Sequence, residues 1–337
     1  RFQQVMLAAI ASTARSQVYE PPPVVASCLD GAHILAAGPS ELAGLLAWLT
    51  GGAPISTRRN TARMREAERT QAVEWNRLAA ARSLACSTRR NLGDRHFQCM
   101  GNYRVRAACR EDLYKKTPFE ANCSGITRPW RNASFSVTYV WKSYQYSHAD
   151  EHLHAAAVRR LRSHRRVIVV LSAGLQEFGR FAEHRETLLH NVRDDEPWPQ
   201  SWMDSYVART SQLFQLFSEK WGRHTPTPCV VWRAQNIAAR HANYSEPKHH
   251  PSAVNGVHHW LNRISIALAK LNGLKVVDLT PATISRKPLD HSVDGNGWMT
   301  ARRVDALEGD VYHGYRMSEI APLFLEALSV ACCESST

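Results

Sequence analysis

Arg166-Val167-Ile168-Val169-Val170-Leu171 reads as a strand with no polar face: four β-branched residues in a row and then a leucine. An unbroken apolar run of this length marks a strand buried on both sides, the condition found in parallel sheets with helices on each face. Before it, residues 150–163 predict a helix, and before that Phe135 to Trp141 predicts a strand, with Val137, Tyr139 and Trp141 alternating with Ser136, Thr138 and Val140. After it come a helix at about 201–219, the strand Cys229-Val-Val-Trp-Arg233, a long helix at about 253–271, the strand Lys275-Val-Val-Asp-Leu279 and a last helix at about 316–331. Towards the N-terminus, His33-Ile-Leu-Ala-Ala37 is a short apolar run closed by Gly38-Pro39-Ser40, and Leu42, Leu45, Leu46 and Leu49 then follow at helical spacing. Five strands alternating with helices predict an α/β protein, a doubly wound three-layer α/β/α sandwich on a five-stranded, mostly parallel sheet.

The remaining chain does not follow this rhythm. Residues 1–27 form a lead-in whose first part ends at Pro21-Pro22-Pro23, a run that cannot continue a helix. Residues 28–333 are expected to make a single α/β domain interrupted at about 55–132 by a basic, cysteine-rich insertion, read as one helix (about 59–83) and a disulfide-stapled loop region. The length suits one large domain plus such an insertion, at roughly 100–200 residues per domain.

Charge and cysteines narrow the setting. With 42 Lys+Arg against 30 Asp+Glu the formal net charge is +12, and 44% of residues are hydrophobic, which excludes a disordered or collagen-like chain. No apolar run approaches the ~18–20 residues that cross a bilayer. Eight cysteines (Cys28, Cys86, Cys99, Cys109, Cys123, Cys229, Cys332, Cys333) contain no CxxC pair, so a zinc ribbon or thioredoxin motif is not expected. Their even number, with sequons at Asn122, Asn132 and Asn243, predicts disulfides, N-glycosylation and a secreted or secretory-lumen protein. Arg1 in place of Met leads to the expectation that any signal peptide has been removed or was never included. The vicinal pair Cys332-Cys333 is expected to bond elsewhere, because a bond between neighbours is strained.

Ligands of open α/β sheets bind beyond the carboxyl ends of the strands. After the first strand stands Gly38-Pro39-Ser40, after the 166–171 strand Gly174-Leu175-Gln176-Glu177, and after the 229–233 strand Arg233 to His241; Asp310-Val-Tyr-His313 precedes the last helix. Taken singly, Ser40 is a helix N-cap and Asp310 and His313 are surface-loop residues. Taken together, a serine on a turn opening a helix, a histidine to accept its proton and an aspartate to orient that imidazole are the parts of nucleophilic acyl transfer.

In this order the residues resemble the SGNH/GDSL hydrolase superfamily, whose fold is flavodoxin-like, and within it the PC-esterase and trichome-birefringence-like branch. The resemblance is carried by His33-Ile-Leu-Ala-Ala-Gly-Pro-Ser40, by Asp310-Val-Tyr-His313, by Val230-Val-Trp-Arg233 with His241, and by Val276-Val-Asp278. It covers about 30–50 and 135–330. It implies an esterase or O-acetyltransferase acting on acetyl esters of glycans without a cofactor, with Ser40 as nucleophile, His313 as general base and Asp310 orienting it, and with the Ser40 N–H, Gln176 and Gly174 around the oxyanion. Pro39 stands where the family has Asp, Gln176 where many members have Asn, and the second-block glycine has no clear counterpart. These departures leave a second reading open: an SGNH-fold protein without catalysis, serving as an extracellular glycan-binding or assembly component.

Two other ligand classes find less support in the sequence. His148, His152 and His154 cluster with Asp150 and Glu151, and His148 and His152 have the spacing of a helical zinc pair, yet no HExxH motif occurs and solvent-exposed histidines are the expectation, with no metal. The Arg-rich stretches 58–69 and 159–166 lack a finger, RNP or P-loop pattern, so nucleic acid is not the expected partner. The charge is assigned to an acidic polysaccharide or an anionic cell surface, and a protein assembly partner belongs to the second reading.

Overall fold

A computed structural model describes residues 22–39, 42, 45, 46, 49, 50, 84–90, 119–125, 130, 133–142, 149–173, 200–219, 221, 227–234, 251–279 and 317–333. Along the chain the elements are α1 (Pro23–Leu29), β1 (Ala32–Gly38), β2 (Leu84–Arg90), β3 (Phe119–Gly125), β4 (Ser134–Trp141), α2 (Ala149–Leu161), β5 (Arg166–Leu171), α3 (Gln200–Glu219), β6 (Cys229–Arg233), α4 (Pro251–Leu271), β7 (Lys275–Val277) and α5 (Met317–Cys333).

They form an α/β fold on one mixed sheet of seven strands, in the order β2-β3-β4-β1-β5-β6-β7. β4, β1, β5, β6 and β7 are parallel and correspond to the five strands expected. The other two correct the five-stranded expectation: β2 and β3 come from the basic insertion and extend the sheet antiparallel beyond β4. Cys86 and Cys123 therefore lie in paired strands, joined by a disulfide across that pair, and not in a stapled loop. The helix expected at about 59–83 lies outside the described residues.

Each strand of the central sheet supplies both faces. Ile34, Ala36, Val137, Tyr139, Ile168, Val170 and Val231 pack on one side with Val25 and Leu29 of α1, Leu42, Leu45, Leu46 and Leu49, and Phe324, Leu325 and Leu328 of α5. Leu35, Ala37, Val140, Val167, Val169, Leu171 and Trp232 pack on the other with Leu153 and Ala157 of α2, Leu213, Phe214 and Phe217 of α3, and Ala269 of α4. The proline run does not extend a helix but starts one: Pro22 is the N-cap and Pro23 the first residue of α1, where a missing N–H costs nothing. Gly31, at φ +67°, then turns the chain into β1, and its N–H donates to Ser134 O (2.7 Å) at the start of β4.

Candidate active site at the carboxyl edge of the sheet

The parallel strands end side by side. Gly38 of β1 stands opposite Trp141 of β4, Ala37 opposite Leu171 of β5, and Arg233 of β6 opposite Val277 of β7. Leu42, Leu45, Leu46 and Leu49, which follow β1, pack on one face, whereas α3, which follows β5, packs on the other. Between two adjacent strands whose connections leave in opposite directions a crevice opens, and that crevice is the usual ligand site of such sheets.

The turn at this crevice is tightly held. Pro39 O accepts the Leu42 N–H at 3.1 Å, so the helical bonding starts directly after the turn. A Cβ on Gly38 would stand 2.7 Å from Leu42 Cδ2, 3.0 Å from Ser172 Cβ and 3.2 Å from Ser172 O, so Leu42 and the segment after β5 close tightly over this glycine. Gly38 O accepts the Lys142 N–H (3.0 Å), and the buried Tyr139 hydroxyl lies 2.8 Å from Gly38 O and 3.2 Å from Pro39 O.

Two buried cations border the same edge. Lys142, just past β4, places its Nζ 2.7 Å from both carboxylate oxygens of Asp150 in the first turn of α2. Arg233, fully buried at the end of β6, is locked to the segment after β5: Ser172 Oγ donates to Arg233 O (3.0 Å), and Arg233 Nη1 is 3.5 Å from Ser172 Oγ. Ser172 in turn donates its N–H to Ala37 O (2.9 Å). Buried ions are costly unless paired and hydrogen-bonded, so this edge is built to hold charge in fixed positions.

The described residues bring the chain to its expected reactive positions but stop short of them. Ser40 directly follows Pro39, Gly174 directly follows Ala173, and Asp310 and His313 precede α5; these four, and Gln176, lie outside the described residues, as do Asn132, Asn243, His241 and His148. Asn122 is exposed on β3. The expectation of solvent-exposed histidines fails at His154, which is buried with its ring 4.4 Å from that of Trp221 and 5.6 Å from that of Phe217, centre to centre. Asp150 of the same cluster is engaged by the Lys142 ammonium. Among the described residues no group of three His, Cys, Asp or Glu side chains could hold a metal ion. In the Arg-rich stretch 159–166, Arg160 pairs with Glu120 (2.6 Å), and Arg166 donates to Cys28 O (2.7 Å) and to Cys333 Sγ (2.9 Å), so part of that charge is structural.

No family model matches the chain. No curated protein matches it either. Solved structures do. An aryl esterase of M. smegmatis overlaps with a TM-score of 0.40 at 11% identity, covering 89% of this chain and 99% of its own. A carbohydrate acetylesterase from Sinorhizobium meliloti gives 0.38 at 9%, with 89% and 99% covered. A peptidoglycan O-acetylesterase gives 0.39 at 10%, with 92% and 96% covered. The neighbours are esterases. Likenesses this distant carry nothing about chemistry, which has to come from this chain's own residues.

Proposed function

We propose that this chain is an esterase or O-acyltransferase of the SGNH type, acting on acetyl esters of extracellular or secretory-pathway glycans. The observation that supports this most is where the Gly38–Pro39 turn stands: at the end of β1, beside the crevice between β1 and β5, with a serine as the next residue of the sequence and Leu42 N–H already bonded back to Pro39 O. Backbone N–H groups at a helix start favour negative charge, which suits an oxyanion forming beside that serine.

In this reading His313 takes the Ser40 proton as Oγ attacks the ester carbonyl, and Asp310 orients the imidazole. The tetrahedral oxyanion is met by the Ser40 N–H and by Gln176 and Gly174. Collapse expels the alcohol with the proton held by His313, leaving an acyl-serine. Water then completes hydrolysis, or a sugar hydroxyl accepts the acyl group. No cofactor takes part. The disulfides and the three sequons support an oxidising, secretory setting for it, and the +12 charge an acidic polysaccharide or anionic cell surface as partner.

Pro39 favours a second reading, in which the same fold binds glycan or an assembly partner without catalysis, since proline supplies no carboxylate to the turn. Turnover of p-nitrophenyl acetate by the intact protein and by Ser40→Ala separates the two. The esterase reading expects a loss of about 10³-fold or more in kcat. Equal turnover by both proteins would leave only the binding role.

A further inference from the structure

The sequon Asn122-Cys123-Ser124 lies inside β3, whereas such a tripeptide is ordinarily modified on a surface loop. Residues two apart in a strand share a face. Asn122 and Ser124 are accordingly both exposed, while Cys123 between them is buried on the opposite face and bonded to Cys86. Directly opposite Asn122 stand Ser87 on β2 and Ser136 on β4, so its flanking side chains are short. A sugar on the Asn122 amide would project to solvent beside two hydroxyls, and the folded protein can carry it there.

Reaching that amide is another matter. A transferase that grips the Asn122 carboxamide and the Ser124 hydroxyl together has to close around the backbone between them. That backbone is paired on both sides: Asn122 with Ser87 and Ser136, Cys123 with Cys86 and Phe135, Ser124 with Ala85 and Ser134. Paired strands stand about 4.8 Å apart, which leaves no space for an enzyme wall. The Cys86–Cys123 disulfide also prevents β3 from peeling away from β2.

We propose that Asn122 accepts an N-linked oligosaccharide only in the open chain, before β3 pairs, and that closure of Cys86–Cys123 ends this window. The donor is a lipid-linked oligosaccharide diphosphate. Asn122 Nδ2 forms a bond to the anomeric carbon and loses a proton, while the bond from that carbon to the diphosphate breaks and the lipid diphosphate leaves with the electron pair. Closure then passes two electrons and two protons from the Cys86 and Cys123 thiols to a disulfide oxidant of the compartment. This rests on the secretory setting proposed above, and the test keeps the two apart.

Full-length protein made without glycans is given to an oligosaccharyltransferase with its lipid-linked donor in two arms. One arm holds the native, disulfide-bonded protein. The other holds the same chain, unfolded, reduced and diluted into the mixture with a dithiol. A short sequon peptide in both arms reports that the transferase works, and Asn122→Gln identifies the product by mass mapping. Asn122 should be modified at least about 10-fold faster in the opened arm, since only locally opened native molecules can react. Equal rates in the two arms overturn the proposal, as does an opened chain that takes no sugar at Asn122; neither result touches the secretory setting. Protein isolated from its native source with free thiols, and with no glycan at Asn122, Asn132 or Asn243, would overturn that setting and this modification with it.

Discussion

His33 shows how far a single side chain can depart from what its place in a sequence suggests. It is the second residue of an apolar strand, is 1% exposed, and places Nδ1 2.7 Å from Ser136 Oγ, which is itself 3.2 Å from His164 Nε2. Burial first, then the Arg160 and His164 charges, lower its pKa from 6.5 to about 3. The folded protein thus holds this imidazole neutral while the unfolded chain protonates it below about 6.5. Stability should be intact above pH 6.5 and fall as pH drops from there towards 3, by at most about 1.4 kcal/mol per pH unit from this group. Denaturant titrations at pH 7 and 4.5 should show a smaller loss for His33→Asn than for wild type; equal losses would remove His33 from the account. Gly38 makes a steric prediction. Gly38→Ala should be destabilised and lose the proposed esterase activity, because Leu42 and Ser172 must both give way. A variant with wild-type melting and turnover would show that the turn is not so tightly packed. Neither residue announces its role in the sequence, because both depend on neighbours far along the chain.

The central strands were legible because burial on both faces leaves an unmistakable run of apolar residues, as in Arg166–Leu171 and Cys229–Arg233. β2 and β3 were not. Leu84-Ala-Cys-Ser-Thr-Arg-Arg90 and Phe119-Glu-Ala-Asn-Cys-Ser-Gly125 carry almost no β-branched residues and end in Arg or Gly, so their pairing is visible only once β4 is there to receive them. The Lys142–Asp150 pair is hidden for a different reason: Lys142 follows Trp141 and Asp150 stands eight residues on, and nothing in that spacing shows that the two charges are buried against each other. Their pair ties β4 to α2, with both groups 3% exposed. Lys142→Met should cost about 3–5 kcal/mol because it takes the paired ammonium from a buried carboxylate, whereas Lys142→Met with Asp150→Leu should recover much of that. If the double variant is no more stable than the single one, the pair is not what sets the cost.

Across the molecule, α5 closes the fold through adjacent cysteines that bond apart, as expected. Cys333 reaches Cys28 at the end of α1, and Cys332 reaches Cys229 at the start of β6. The described cysteines are all paired, with none free. These bonds span 305 and 103 residues, long loops whose closure restricts the unfolded chain, so replacing Cys332 and Cys333 by serine should cost about 2–5 kcal/mol per bond in thermal unfolding. An unchanged melting temperature would contradict this. The α/β class and the place of Gly38–Pro39 at the carboxyl end of β1 were legible from the alternation of elements along the chain, while the proposed roles of Ser40, Asp310 and His313 rest on motif order. Its most direct test is mass mapping after exposure to a fluorophosphonate. The account predicts one adduct, on the peptide bearing Ser40 and absent from Ser40→Ala; no adduct, or one that persists in Ser40→Ala, would contradict it.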